Sequence, residues 1–179
     1  IVAAHQIAMS VTSQLFMIPM SLAIALTIRV GTYYGEKNWE AMRKVQKLGL
    51  ATGTILALMT MLLIALFRPE IVAIYISDHE VSEVAMYLLL FALAYQLMDA
   101  WQISAAGCLR GMQDTKGPMW ITMVAYWIVA FPVSIYLARY TNIGAAGVWI
   151  GLIVGLSVAC ALLLLRLYNN NKRLSQDYP

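Results

Sequence analysis

Charged residues are scarce in this chain of 179 amino acids. Asp, Glu, Lys and Arg together make up 12% of it, whereas apolar residues make up 61%. Soluble globular domains carry roughly 25% charged and 45–50% apolar residues, and the mean hydropathy of +0.73 departs in the same direction. One soluble core cannot bury this much apolar surface. The composition therefore excludes an ordinary soluble domain and predicts a protein whose solvent is the lipid bilayer.

Motifs that carry enzyme chemistry are also lacking. The two cysteines, Cys108 and Cys160, lie in apolar stretches without metal-ligand or redox spacing, and we interpret them as core residues. The sequence has no nucleophile motif, no Gly-rich phosphate loop and no pair of acids within one helix. We therefore predict that the protein is not an enzyme and has no cofactor. The basic residues lie between or at the ends of apolar runs, which argues against binding of nucleic acid.

Five long apolar runs are present, at about 5–30, 46–76, 81–109, 118–138 and 143–167. A bilayer core about 30 Å thick requires about 20 apolar residues of α-helix, and runs this long without period-two alternation are not barrel strands. We predict an all-α bundle of about five transmembrane helices, followed by a tail at 168–179. The chain begins without Met or a signal peptide, so we expect further helices upstream.

The distribution of Lys and Arg predicts the orientation, because these residues accumulate in cytoplasmic loops. With five crossings, the other side receives only Arg68 and Arg139. The tail and the loops at 31–47 and 110–117 should therefore be cytoplasmic, and the N-terminus and the loop around Asp78 should face outside. The cytoplasmic set comprises Arg29, Lys37, Arg43, Lys44, Lys47, Arg110, Lys116, Arg166, Lys172 and Arg173.

Asp99 is the one acid placed near the middle of an apolar run. An Asp at the centre of a membrane helix costs about 2.5–3.5 kcal/mol even on lenient insertion scales, so it should face protein or a water-filled cavity. Tyr95 and Gln102 lie on the same helical face, and the three side chains supply oxygen ligands for a monovalent cation. We predict an ion or proton site here. The alternative is a hydrogen-bonded clasp to another helix.

The carboxylate at Asp99 also suggests a mechanism of exchange. Burial destabilises the ionised form, and a nearby cation stabilises it. One negative charge cannot fully satisfy a coupling ion and a cationic substrate together, and this competition is the physical basis for antiport. Asp99 is thus the candidate site for a coupling cation or a proton.

A polar stripe follows one side of the first predicted helix, and it includes Met17 as an adaptable apolar contact. Two interpretations stay open: bonding to a neighbouring helix, or the wall of a substrate cavity. Trp101, Tyr126 and Trp127 lie deep enough in their helices to stack on flat cations, although packing is the simpler function. The polar members of the stripe are Gln6, Ser10, Ser13, Gln14 and Ser21.

Small residues and prolines indicate how the helices pack. Glycine permits close approach of two backbones in lipid, and a proline inside a helix favours a kink. The prolines in question are Pro19 and Pro132. The glycines that repeat at four-residue spacing are Gly49 with Gly53, Gly107 with Gly111, and Gly147 with Gly151 and Gly155.

Several short motifs resemble the multidrug and toxic compound extrusion (MATE) family, in particular its NorM-type bacterial branch. They are the stretch 95–102, which contains Tyr95 and Asp99, its continuation at 107–111, and the stretches 4–8, 19–23 and 28–31, the last followed by Gly35. That family has twelve helices in two lobes. The resemblance implies that this chain corresponds to helices 8–12 in a bacterial inner membrane, and that an N-terminal lobe is missing.

The resemblance also implies a function: export of cationic, often aromatic, drug-like molecules, driven by sodium or protons. Asp99 matches the acid held to bind the coupling ion, and Tyr95 matches a position beside it. Gln6 and Asp78 match positions linked to substrate contact, to which the residue patterns add Gln102 and Met17. Membrane lipid and the missing lobe are the other expected partners. Two alternatives are a flippase for lipid-linked oligosaccharides of the same superfamily and a scaffold subunit that transports nothing.

Overall fold

The computed structural model describes residues 2–75, 79–140 and 145–177, and Asp78 lies outside these ranges. Every regular element within them is helical, which confirms the predicted all-α class. The helices are α1 (Val2–Gly35), α2 (Trp39–Leu66), α3 (Arg68–Tyr75), α4 (His79–Gly111), α5 (Lys116–Val124), a π-helical segment (Ala125–Ala130), α6 (Phe131–Tyr140) and α7 (Ala145–Asp177).

Four helical stretches are long and apolar enough to cross a membrane: Met9–Gly35, Trp39–Leu66, Lys116–Tyr140 and Gly147–Gln176. The helix α4 covers the predicted span at 81–109 but is not one of these four, so its crossing of the bilayer stays a prediction. Its 33 residues give a length of about 50 Å. It contacts α1, α2, α3, α5 and α7 and buries Gln96, Asp99 and Ser104. Half of the buried polar residues in the described part of the bundle therefore lie on α4.

The first loop is much shorter than the predicted loop at 31–47. The helix α1 continues to Gly35 and α2 begins at Trp39, so only 36–38 lie between them. Lys37 turns the chain with a φ of 56°, and the side chain of Asn38 accepts a hydrogen bond from the Ala41 N–H at 3.1 Å. This capping satisfies one of the unpaired donors at a helix start. The basic residues from 43 to 47 therefore lie on α2.

The predicted helix at 46–76 is divided at Phe67, which separates α2 from α3. Pro69 has no N–H and cannot continue the hydrogen-bond ladder of α2, but its missing donor costs little in the first turn of a new helix. The N–H of Ile71 donates to the carbonyl of Phe67. The apolar residues continue across Phe67, so the sequence pattern does not predict the break between α2 and α3.

A kink at Pro132 was predicted, and the helix widens directly before it. Residues Ala125–Ala130 form a π-helical segment, and the Phe131 N–H donates to the carbonyl of Tyr126, five residues earlier. A proline ring crowds the carbonyl four residues before it, and a wider turn relieves that crowding. This segment shifts the side chains that follow Tyr126 around the helix axis.

The predicted tail at 168–179 is helical as far as Asp177, because α7 continues through it. Two amides hold this extension. Asn170 Nδ2 donates to Asp114 Oδ2 at 3.1 Å, and Asn171 Nδ2 donates to Gln46 Oε1 at 2.7 Å. Asn170 and Asn171 thus bind neighbouring elements, whereas Lys172 and Arg173 are exposed.

The predicted glycine contacts are confirmed where α1 crosses α4. A Cβ at Gly107 would lie 2.6 Å from the Ala23 carbonyl oxygen, and one at Gly111 would lie 2.7 Å from the Thr27 oxygen. The Thr27 hydroxyl donates to the Gly107 carbonyl at 3.0 Å across the same crossing. Gly151 similarly approaches the backbone of Ser134 on α6. These close approaches fix α4, and with it Asp99, against its neighbours.

Candidate functional site

Asp99 lines a cavity of about 470 Å³ between α1, α4, α5 and the π-helical segment. Only 3% of the residue is exposed. Tyr95 and Gln102, the two residues predicted to accompany it, line the same cavity. The structure therefore brings together three of the predicted site residues. The other lining residues are Phe16, Ile103, Ala106, Arg110, Thr115, Pro118, Met119, Thr122 and Tyr126.

Helical geometry explains the lining from α4. Tyr95, Asp99, Gln102 and Ala106 follow one another at spacings of three or four residues, so they share one face of the helix. The opposite wall is built from α5 and the first turn of the π-helical segment, which contribute Thr122 and Tyr126. The ring of Tyr95 meets Trp149 of α7 edge to face, with centroids 6.4 Å apart, and this contact orients its hydroxyl-bearing ring.

The carboxylate of Asp99 has no ion pair with any residue in the described ranges. The nearest cation on its own cavity wall is Arg110, which lies eleven residues further along α4, or about 16 Å along the axis. A carboxylate, an amide and two phenol oxygens thus face one chamber without a permanent cation beside the acid. Hard monovalent cations prefer oxygen ligands of this kind. No group of three His, Cys, Asp or Glu that suits a multivalent metal occurs in the part of the chain that the structure describes.

The remaining predicted site residues do not line this cavity. Gln6 is exposed on α1, and Met17 is 67% exposed, while Asp78 lies outside the described residues. The hydroxyls of Ser13 and Ser21 donate to carbonyls four residues earlier on α1. The polar stripe of α1 therefore does not line the Asp99 cavity, and most of it is exposed on the described bundle.

Some lining residues were not predicted. Phe16 and Thr122 carry no sequence pattern that separates them from other apolar or hydroxyl residues, since only the rotation of α1 and α5 places them here. Of the three deep aromatic residues, Tyr126 lines the cavity. Trp101 instead donates its indole N–H to Thr54 Oγ1 at 2.8 Å, and Trp127 is 70% exposed.

A second carboxylate, Asp114, lies in the short loop after α4 and has several partners. Arg166 Nη2 donates to its Oδ1 at 3.1 Å, and Arg166 Nε donates to Oδ2. The Gly117 N–H donates to Oδ1 at 3.2 Å. The hydrogen bonds from Arg166 hold the pKa of Asp114 below its ordinary value. Asp114 therefore joins the α4–α5 loop to α7 and has a structural role.

Comparison with known proteins identifies relatives along almost the whole chain. The family profile MatE matches residues 1–136. The chain is similar to a probable multidrug resistance protein NorM from Acinetobacter baylyi, with 74% identity over 99% of this chain and 39% of that protein. It is also similar to a probable multidrug resistance protein NorM from Pasteurella multocida, with 43% identity over 93% of this chain and 37% of that protein. The chain thus spans less than half the length of these relatives.

Solved structures share the fold. The eukaryotic MATE transporter AtDTX14 matches with a TM-score of 0.87 and 22% identity, over 98% of this chain and 40% of that one. An outward-facing multidrug resistance MATE family transporter of the MOP superfamily matches with a TM-score of 0.90 and 19% identity, over 98% and 39%. Because the MatE profile covers more than half of the chain and relatives in sequence match almost all of it, the chain belongs to the MatE family.

Proposed function

We propose that this chain is part of a multidrug efflux antiporter that exports cationic aromatic compounds in exchange for sodium or protons, with Asp99 as the coupling-ion site. The single observation that carries the proposal is the buried, unpaired carboxylate facing a cavity of about 470 Å³. Two relatives are named as probable multidrug resistance proteins, which supports drug-like molecules as the substrates. Because the chain spans 39% of the first of them, the complete transport cycle requires the rest of such a protein.

The chemistry of exchange follows from the position of Asp99. Removing an acid from water destabilises its ionised form, and a cation or a proton restores a neutral site. Tyr95 and Gln102 supply further oxygens on the same face. When a coupling ion leaves, the unmatched charge favours entry of a cationic substrate, and the reverse step resets the site. Alternation between these two occupants is what an antiporter needs.

The exposed stripe of α1 completes the proposal. Gln6, Met17 and Ser21 are exposed on the described bundle. In secondary transporters the substrate site lies between two repeats near the middle of the bilayer, and this stripe is the wall we assign to that chamber. We further propose that the chain lies in a bacterial inner membrane, as the bacterial relatives suggest, with its start outside and its end in the cytoplasm, an orientation that the distribution of Lys and Arg favours. The missing partner is the N-terminal lobe.

Dye efflux tests this proposal in cells that express a full-length protein containing this chain. An imposed sodium gradient at fixed pH drives export of ethidium. The Asp99→Asn variant should lower its rate at least about ten-fold, because the neutral amide loses an attraction to the coupling cation of about 4 kcal/mol at about 4 Å and an effective dielectric constant of about 20. Asp114→Asn is the matched control, since its side chain already binds Arg166 outside the cavity, and it should retain efflux.

Equal efflux in the parent protein and Asp99→Asn would remove Asp99 from the coupling mechanism. A parent that moves no dye under either a sodium or a proton gradient would support the scaffold alternative. Dye efflux that depends on a proton gradient alone would still support Asp99 as the coupling site, with the proton in place of sodium as the coupling ion. Both variants are first compared with the parent for membrane yield and elution in detergent, so that a folding defect is recognised.

A further inference from the structure

A second large hollow lies far from Asp99, between α2 and α7 at the end of the bundle that carries most of the basic residues. Its volume is about 480 Å³, and both walls are regular helical faces. On α2 the lining residues Arg43, Lys47 and Leu50 recur at three- and four-residue spacing, which places them on one side of the helix. The lining residues of α7, from Leu164 to Gln176, also recur at three- and four-residue spacing and lie on one side of that helix. We refer to this hollow as the α2–α7 groove.

The groove exists because the two helices contact each other little along their length. One polar bridge joins them there: Asn171 Nδ2 donates to Gln46 Oε1 at 2.7 Å. Gln46 in turn donates from Nε2 to the sulfur of Met112 at 3.4 Å, so its side chain is fixed from both sides. The separation of α2 and α7 is thus a feature of the packed bundle.

The lining changes character along the groove. At one end lie Leu50, Leu164 and Leu167, and at the other lie Arg43, Lys47 and Lys172. Leu50 and Arg43 are seven residues apart on α2, which corresponds to about 10 Å along the helix axis. The basic end is nearer the turn at 36–38, and the leucine end is deeper in the apolar part of the helices. This polarity matches a molecule with an anionic head and an apolar tail.

The three cations are not neutralised inside the groove. None of its described lining residues is Asp or Glu, and none of the three pairs with an acid among the residues that the structure describes. The nearest acid in sequence, Glu40, lines a neighbouring hollow with Arg43, Lys44 and Lys47. The Nε of Arg43 donates to the Trp39 carbonyl at 3.2 Å, which holds its stem along α2 and leaves the terminal amino groups to reach a ligand.

We propose that the α2–α7 groove binds an anionic phospholipid, with the phosphodiester held by Arg43, Lys47 and Lys172 and the acyl chains lying on Leu50, Leu164 and Leu167. Basic pockets between membrane helices on the cytoplasmic side suit such headgroups, because local positive charge and adjacent hydrocarbon act together. A free phosphate ion would gain nothing from the leucines. The site is separate from the Asp99 cavity and does not depend on the transport mechanism.

The test measures lipid retention by the purified full-length protein in detergent with native mass spectrometry. The protein is equilibrated with equal amounts of phosphatidylglycerol and phosphatidylcholine, with and without inorganic phosphate. The groove variant combines Arg43→Gln, Lys47→Gln and Lys172→Gln. The control variant combines Lys37→Gln, Lys116→Gln and Arg173→Gln, which removes the same charge from the same end of the bundle outside the groove.

The parent should retain phosphatidylglycerol about a hundred-fold more than phosphatidylcholine, because three basic residues that each contribute about five-fold near an anionic lipid surface multiply to roughly that ratio. The groove variant should lose this preference. The control variant should retain the preference, because its three residues do not line the groove. Inorganic phosphate should not displace the lipid. If the triple variant does not fold, Lys172→Gln alone, an exposed position, should still lower retention several-fold.

Three results would overturn the proposal. Equal losses in the two triple variants would show that lipid responds to general surface charge only. Displacement by inorganic phosphate would identify a free-anion site in place of a lipid site. A parent without any preference for phosphatidylglycerol would show that another part of the full-length protein covers the groove.

Discussion

Two acids separated by one end of α4 have opposite environments. Asp99 is 3% exposed and has no ion-pair partner in the described ranges, whereas Asp114 accepts hydrogen bonds from Arg166, Asn170 and the Gly117 N–H. The first faces a cavity and the second fills a gap between a loop and a helix. Pairing satisfies the charge of Asp114 permanently and leaves it a structural role. The charge of Asp99 stays available to a mobile cation.

The two acids differ in the number of their partners. This difference, more than burial alone, separates an acid with a structural role from an acid that can bind a mobile cation. A charge with a fixed partner of opposite sign is compensated at all times, and removing that partner leaves the charge without compensation. A buried charge without one is stabilised only when something enters from outside. Variants at the crossing of α1 and α4, at the Arg166–Asp114 pair and at Ser104 test this contrast.

The largest effect on stability is expected at the crossing of α1 and α4. Gly107→Ala would place a Cβ 2.6 Å from the Ala23 carbonyl oxygen and 3.1 Å from the Ala23 Cα, so the two backbones must separate. Overpacking of this kind costs about 1–3 kcal/mol. Thermal unfolding in detergent should show a clear loss. Gly35→Ala is the control, because no atom lies within 4 Å of a Cβ built there; equal stability of the two variants would contradict the tight crossing.

A smaller effect is expected at the ion pair. Arg166→Lys retains the charge but loses the two-point contact with Asp114, which a single ammonium group cannot reproduce. We expect a loss of up to about 1 kcal/mol, the upper range for exposed pairs, measured as a lower midpoint of thermal unfolding. Efflux measured at a temperature well below that midpoint should match the parent. Loss of efflux without loss of stability would mean that the Arg166–Asp114 ion pair also takes part in transport.

The same pair predicts a dependence on pH. Because Arg166 lowers the pKa of folded Asp114, the pair contributes fully above the unfolded value of about 3.9, and its contribution is lost as pH falls through the folded pKa. The stability gap between the parent and Asp114→Asn should be constant from pH 7 to about pH 5 and should narrow below about pH 4. A gap that widened on acidification would reverse the assigned sign.

The smallest effect is expected at Ser104, a second polar group buried on α4. Its hydroxyl oxygen has no hydrogen-bond partner among the described residues, so Ser104→Ala should change stability by less than about 0.5 kcal/mol or raise it slightly. Thr54→Val, in contrast, leaves the Trp101 indole N–H without its acceptor and should cost about 1 kcal/mol. If Ser104→Ala abolished efflux, an unpaired polar group on α4 would matter even without a charge.

The sequence predicted the elements of this structure that depend on composition and spacing. The helical class, the glycine crossings and the cluster of Tyr95, Asp99 and Gln102 follow from apolar length and the 3.6-residue period. Phe16 and Thr122 were missed because their place in the cavity depends on how α1 and α5 rotate against α4. The break at Phe67 and the helical end of α7 were missed because a proline and a few tertiary hydrogen bonds decide them locally.

The most direct test of the central claim is sodium binding by the purified full-length protein in detergent at fixed pH. Radioactive sodium is added to the parent, to Asp99→Asn and to Asp114→Asn, with displacement by unlabelled sodium and by ethidium. We expect saturable binding in the parent and in Asp114→Asn, displaced by both competitors, and none in Asp99→Asn. Saturable binding in Asp99→Asn equal to that of the parent would contradict it.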